Sequence, residues 1–304
     1  MAQSEKEALV TETVNLNTIN IDRMEIIDVV NVMNEEDQKV ARAVKKEIPR
    51  ISKAIEMVVD HLNKGGRLFY IGAGTSGRIG VLDASECPPT FNTPPGLVNG
   101  IIAGGDIALR NALEGVEDSR QKAKEDLLEH GFDTKDVLIG LAASGTTPYV
   151  LGALEYANSK NASTISVSCN GNTLISEVAQ LPIEIIVGPE VIMGSTRLKA
   201  ATAQKMVLNM ISTATMVQLG KVYQNLMVDL QAKNEKLKKR AINIVRKVTS
   251  CDEAKAKKLL GQTEWRVKEA IIICETGASF QEAQQFLSAC KGRVGEAAEL
   301  ARNA

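Results

Sequence analysis

Two turns in this chain of 304 residues have the composition needed to hold an anion by local geometry. The first, GAGTSGR at 72–78, follows a short apolar run and precedes a stretch of helical composition. Glycines there let the backbone approach a ligand closely, Thr75 and Ser76 add hydroxyls, and a helix start presents free N–H groups with a favourable dipole. Gly74, Thr75, Ser76, Gly77 and Arg78 are therefore candidate ligand contacts. The second turn, AASGTTP at 142–148, offers Ser144, Gly145, Thr146 and Thr147, with Thr147 placed as a helix cap and Pro148 as the first helical residue. Either turn alone is equally a tight strand-to-helix connection; the pair at neighbouring strand ends predicts one phosphorylated ligand. Gly72, Gly74 and Gly77 also satisfy GxGxxG. A dinucleotide would further need an acidic residue closing a second strand about 20 residues on, where Pro88, Pro89, Thr90 and Phe91 stand instead.

Carboxylates lie close to both turns. Glu86 sits in DASECPP (83–89), where two prolines are expected to stop the helix and leave the side chain on a stiff turn. Glu114 and Glu117 are three apart and could share a helix face, although either is also an ordinary surface acid. The histidines, His61 and His130, stand in helix-ending, surface-like contexts, so no Ser-His-Asp set forms. No metal cluster is expected, and acid–base work falls to glutamates.

The elements that must position these residues read as alternating strands and helices. Short apolar runs at 68–71, 100–103, 137–141, 164–167 and 183–187 are separated by segments of helical length. That order predicts an α/β fold: a doubly wound, five-stranded parallel sheet with ligands beyond the carboxyl ends of the strands. Residues 1–48 read as a helical extension, 49–222 as the α/β domain and 235–304 as a small helical domain of three helices, with Trp265 as its core anchor. The basic run Lys233, Lys236, Lys238, Lys239, Arg240, Arg246 and Lys247 lacks interleaved aromatics and reads as a solvated helix face, so no nucleic acid is expected.

Composition bounds the rest. Apolar residues make up 44% and charged residues 24%, and 36 basic side chains against 37 acidic ones leave a formal charge of -1. No global field is available to attract a polyanion. Five cysteines without a CxxC pair read as reduced thiols. The polar start MAQSEKEALVTET does not read as a signal peptide, and no apolar run reaches the roughly 20 residues of a membrane span. A soluble cytoplasmic protein with no membrane partner is expected.

Four strings carry a resemblance: GAGTSGRIGVLDASECPPTF (72–91), ALEGVEDS (112–119), AASGTTPYV (142–150) and GPEVIMGSTRLKAATAQK (188–205). Together they resemble the N-acetylmuramic acid 6-phosphate etherase family, built on the sugar isomerase (SIS) fold. The similarity runs from about residue 10 into the helical C-terminus, and general SIS domains lack DASECPPTF. The resemblance implies cleavage of the lactyl ether of N-acetylmuramic acid 6-phosphate, giving N-acetylglucosamine 6-phosphate and D-lactate during peptidoglycan recycling. It further implies a small-molecule sugar-phosphate substrate, a homodimer, and no metal or organic cofactor. The family's catalytic glutamates fall on Glu86, assigned here as the acid, and Glu117, assigned as the base. Two positions depart from the family pattern: Thr146 where arginine is common (SGRTP) and Ala201 where glycine is common (KAGTAQK). A non-catalytic sensor resembling glucokinase regulatory protein and an aldose–ketose isomerase are the alternatives on the same fold.

Overall fold

The structure, a computed structural model, describes residues 9–230, 232 and 234–304; most of the polar start (1–8) and Lys233 of the basic run lie outside the described residues. The chain forms two compact units, Met1–Ser85 with Gly96–Ser212, and Glu86–Pro95 with Thr213–Ala304.

In the first unit, 3-10 turns at Val10–Glu12, Leu16–Thr18 and Ile21–Arg23 precede α1 (Ile26–Lys46) and α2 (Ile48–Asn63). Ile51, Ala54, Val58 and Leu62 of α2 recur at helical spacing and are buried. There follow β1 (Leu68–Gly72), α3 (Gly74–Phe91), β2 (Val98–Ile102), α4 (Gly105–Arg110), α5 (Arg120–Glu129), β3 (Val137–Leu141), α6 (Pro148–Ser159), β4 (Ser163–Ser168), α7 (Leu174–Val178), β5 (Leu181–Glu184) and α8 (Lys199–Gln218). The strands pair in parallel in the order β2-β1-β3-β4-β5. Winding reverses between β1 and β3, the position where doubly wound sheets open a crevice. Every residue of β1 and β3 is buried, as a sheet covered on both faces requires. Phe69, Ile71 and Leu138 pack with Leu127 of α5 and with Tyr149, Val150 and Leu154 of α6, each such side chain contributing about 1.5–3 kcal/mol by burial. The strands expected at 100 and 183 begin two residues earlier, at Val98 and Leu181, and β5 tolerates Pro182 because it is an edge strand.

The prolines do not stop α3. Pro88 and Pro89 lie inside it, so Glu86 is helical and not on a turn, contrary to the sequence reading. Proline lacks the N–H that would return to the carbonyls of Ala84 and Ser85, and the ladder loses those rungs while φ stays helical. The helix ends only beyond Phe91, where Asn92 donates its N–H to the Pro88 carbonyl (2.9 Å) with φ at 51°. The division between the units falls at Ser85, on those missing rungs.

In the second unit the reading of three helices is corrected to five among the described residues: α9 (Glu235–Thr249), α10 (Glu253–Gln262), α11 (Val267–Thr276), α12 (Phe280–Ala289) and α13 (Val294–Arg302). The apolar set Leu259, Leu260, Val267, Ile271 and Ile272 is cut in two because Glu264 and Trp265 adopt left-handed φ values of 52° and 64°. Ile242, Val245, Leu260, Ile271, Ala283 and Val294 make the core. Trp265 is only half-buried, with the Lys238 ammonium 5.4 Å above its ring. Lys236, Lys239, Arg240, Arg246 and Lys247 are exposed, as a solvated face predicts. All five cysteines are free, and among the described residues no helix is long and apolar enough to cross a membrane.

Candidate active site

The carboxyl ends of β1 and β3 are aligned, Gly72 opposite Leu141, and each feeds a helix start. The first turn of α3 is the glycine loop itself, beginning at Gly74, and α6 starts at Pro148 with Thr147 as its N-cap residue. A cavity of about 200 Å³ opens between them. Its walls are Ala73, Gly74, Thr75 and Ser76 of the first turn, and Leu141, Ala142, Ala143, Ser144 and Thr147 of the second. Glu117, Glu12, Gly194 and Thr196 complete it. Two turns far apart in sequence thus become two faces of one small polar hollow.

The two serines face it in opposite hydrogen-bonding senses. Ser144 Oγ accepts from the Thr146 amide and the Thr146 hydroxyl, both at 3.2 Å, which leaves its own proton free to donate into the cavity. Ser76 Oγ donates to Gln204 Oε1 at 2.8 Å, so it offers the cavity lone pairs. Gln204 Nε2 is buried with no hydrogen-bond partner among the described residues. The Thr147 side chain makes no capping bond, so its hydroxyl is available to a ligand instead of the helix.

Four of the residues expected to touch a ligand do not line the cavity. Gly77 packs under β1: a Cβ there would meet the Gly72 carbonyl oxygen at 2.7 Å. Gly145 has φ 76°, and a Cβ would fall 2.3 Å from Thr173, so the turn before α6 requires glycine. Thr146 stands where the family pattern has arginine and turns its hydroxyl back onto Ser144. Arg78 is the clearest difference. Its guanidinium donates to the carbonyls of Ala108 (2.7 Å), Leu109 (3.3 Å) and Asn111 (2.9 Å), tying down the C-terminal end of α4. It positions the loop towards Glu117; its bonded donors face protein.

Glu117 reaches the cavity from a 3-10 turn, Val116–Asp118, entered through Gly115 at φ 74°. It is half-buried, whereas Glu114 is exposed and outside the lining. Glu86 lies about three helical turns beyond Thr75 on α3, exposed, and belongs to the second unit.

Sequence reasoning assigned no role to several residues that build this site. Asn170 donates to the carbonyls of Ala143 (3.1 Å) and Ser144 (3.3 Å) and to Thr11 Oγ1 (3.0 Å), while its Oδ1 accepts from the Thr11 amide (3.1 Å). It clamps the cradle to the N-terminal segment, and Glu12 follows Thr11 into the cavity. Glu190, fully buried, accepts from the amides of Lys199 (3.0 Å) and Ala200 (2.9 Å) at the start of α8, which fixes the loop carrying Gly194 and Thr196. Cys169 lies behind the cradle, its amide on the Ala143 carbonyl. Burial, aided by the Glu190 charge, pushes its thiol up to about 12, so it stays protonated. Gly194 and Thr196 lie within GPEVIMGSTRLKAATAQK, which was a usable signal; Glu12 and Asn170 had none, because the bond from Asn170 to Thr11, the neighbour of Glu12, spans a sequence separation of 159.

Known proteins place this architecture. Residues 50–158 match the N-terminal SIS domain of glucokinase regulatory protein, 124–214 the SIS domain, and 224–285 the C-terminal lid domain of glucokinase regulatory protein. A phosphoheptose isomerase from Francisella tularensis shares the fold, with a TM-score of 0.52 at 19% identity over 64% of this chain and 100% of that one. Similarity along the whole chain is much higher to proteins named N-acetylmuramic acid 6-phosphate etherase. The one from Caldanaerobacter subterraneus subsp. tengcongensis is 52% identical over 97% of this chain and 96% of its own length. The one from Clostridium beijerinckii is 53% identical over 95% of each. With the strand-end cradle, the carboxylate beside it and similarity of this extent, the chain belongs to the N-acetylmuramic acid 6-phosphate etherase family.

Proposed function

We propose that this chain cleaves the lactyl ether of N-acetylmuramic acid 6-phosphate, releasing D-lactate and N-acetylglucosamine 6-phosphate in the reuse of cell-wall amino sugars. The observation that carries this reading is that one cavity is lined by both helix-start turns and by Glu117. An alkoxide is a poor leaving group, so the route open to carboxylates is elimination. In the open-chain sugar the proton on carbon 2 is acidified by the neighbouring aldehyde. Glu117 removes it, the enolate expels the lactate oxygen from carbon 3, and the leaving lactate takes its proton from Glu86, the acid that the family resemblance implies, which does not itself line this cavity. The Glu86 carboxylate then takes a proton from water, whose oxygen adds to carbon 3, and the proton on Glu117 returns to carbon 2, so that both carboxyl groups end as they began. Amides of the α3 and α6 starts, with the Ser144 and Thr147 hydroxyls, hold the phosphate and orient the sugar.

In this reading residues 49–222 carry the substrate site, 1–48 complete it, and 235–304 form a separate helical domain. The protein acts in the cytoplasm as a homodimer. Exposed apolar side chains in the N-terminal segment, among them Leu16, Ile19, Ile26, Ile27 and Val30, support a partner copy, since solvent does not reward such surfaces.

Lactate release tests the proposal. Purified protein given the phosphorylated muramic sugar should release lactate, and the unphosphorylated sugar should give at least about a hundredfold less, as loss of an anchoring group predicts. Glu86→Gln and Glu117→Gln should each lower release by about 100-fold to 10,000-fold with the fold intact. Full turnover in both variants would discard the mechanism, and interconversion of aldose and ketose phosphates without lactate would assign an isomerase instead.

A further inference from the structure

We propose that Glu12 is a substrate-binding residue whose carboxylate accepts a hydrogen bond from an O–H or N–H of the sugar, so that it reads the sugar and not the phosphate. This rests on the sugar-phosphate reading of the cavity above.

Glu12 lines the cavity together with both helix-start turns and Glu117, yet its carboxylate makes no hydrogen bond or ion pair among the described residues. Its position is not accidental. Thr11, fully buried, is bonded through both its amide and its hydroxyl to Asn170, which also holds the Ala143 and Ser144 carbonyls. Asn15 donates to the Pro189 carbonyl at 3.2 Å and Thr18 to the Val191 carbonyl at 2.8 Å. The backbone on both sides of Glu12 is therefore pinned to the loops that form the cavity. On the far side, a Cβ at Gly194 would stand 3.1 Å from Glu12 Oε2, so glycine leaves room for the carboxylate there.

Chemistry then selects the ligand group. A carboxylate repels a phosphate dianion and accepts only from donors. No Lys, Arg or His lines the cavity to neutralise it. The groups of a sugar phosphate that can satisfy it are the ring or chain hydroxyls and the acetamido N–H. With the flanking backbone pinned, only the Glu12 side chain is left to order when the ligand arrives.

The test is calorimetric binding of N-acetylglucosamine 6-phosphate and of inorganic phosphate to the full chain and to its Glu12→Ala and Glu12→Gln variants. Glu12 is exposed and unpartnered, so both variants should fold, which a thermal melt checks. Glu12→Ala should weaken the sugar phosphate by about tenfold to a hundredfold, the range for a hydrogen bond to a charged group, and leave inorganic phosphate unchanged or tighter. Glu12→Gln, which keeps an acceptor oxygen, should fall between. Equal affinity of wild type and Glu12→Ala for the sugar phosphate, or equal weakening of both ligands, overturns the assignment. If the wild type releases lactate and Glu12→Ala releases it with the same KM, the assignment fails while the etherase reading stands. If no lactate is released but the two ligands still split as described, the etherase reading fails and the role of Glu12 stands.

Discussion

Ser144 and Ser76 share one side chain and one cavity but carry different consequences. Ser144 keeps a free proton because Thr146 supplies both bonds to its oxygen, whereas Ser76 has given its proton to Gln204. Ser144→Ala should therefore raise KM for the phosphorylated sugar by about tenfold, the value of one donor to a charged acceptor, and Ser76→Ala by less; steady-state kinetics compares them. Thr146→Val should act through Ser144 and raise KM as well, because the hydroxyl it removes orients that serine. A second residue-scale prediction concerns the thiols. Cys169, buried and held protonated, should resist alkylation at neutral pH, while half-buried Cys251, Cys274 and Cys290 react first, as mass spectrometry after timed labelling would report. The sequence made Ser144 and Thr147 legible through their place before a proline-started helix. It could not show that Arg78 is spent on backbone carbonyls, because that depends on where α4 ends in space.

At the scale of elements, the turn between β3 and α6 is over-determined. Gly145 combines a left-handed φ with a neighbour 2.3 Å from any added Cβ, so Gly145→Ala should destabilise the first unit by about 1–3 kcal/mol and impair sugar-phosphate binding. Thermal unfolding with and without N-acetylglucosamine 6-phosphate measures both effects. The strand starts were legible to within two residues because buried parallel strands are unbroken apolar runs, although β5 stops at Glu184, three residues short of the expected end at 187. The end of α3 was not, since the rule that proline stops a helix concerns the carbonyls before it and leaves φ compatible with continuing. The division of α10 from α11 was hidden for a related reason: apolar spacing carries across a turn made by two left-handed residues, Glu264 and Trp265, whose types do not announce it.

For the molecule as a whole, the N-terminal segment is tied to the rest of the first unit by a buried ion pair. Lys199 Nζ meets Glu36 Oε2 at 2.6 Å with both side chains almost fully buried, and Lys39 and Asn17 also donate to Glu36. Burial alone would raise the Glu36 carboxyl; the bonds from Lys199, Lys39 and Asn17 outweigh it and hold the group at about 2 instead of 4.5. With the folded value below the unfolded one, this contribution is complete above pH 4.5 and is lost as pH falls towards 2, on the order of 3 kcal/mol in all. Lys199→Met should cost about 3–5 kcal/mol in urea unfolding by stranding a buried carboxylate, and adding Glu36→Leu should recover most of it. Failure of the double change to recover would mean that the pair contributes more than it costs to desolvate.

The walls of the cavity carry a last consequence. Two of the lining side chains are carboxylates, none is a cation, and the chain as a whole is at -1. If the sugar phosphate binds here as proposed, a doubly charged ester approaches against a repulsive local field and is retained by short-range dipoles, which dissolved ions hardly weaken. Raising ionic strength from about 0.01 to 0.15 M shrinks the Debye length from about 30 to 8 Å. Over that range the apparent affinity should stay level or improve, the reverse of what arginine or lysine clamps on a phosphate would show.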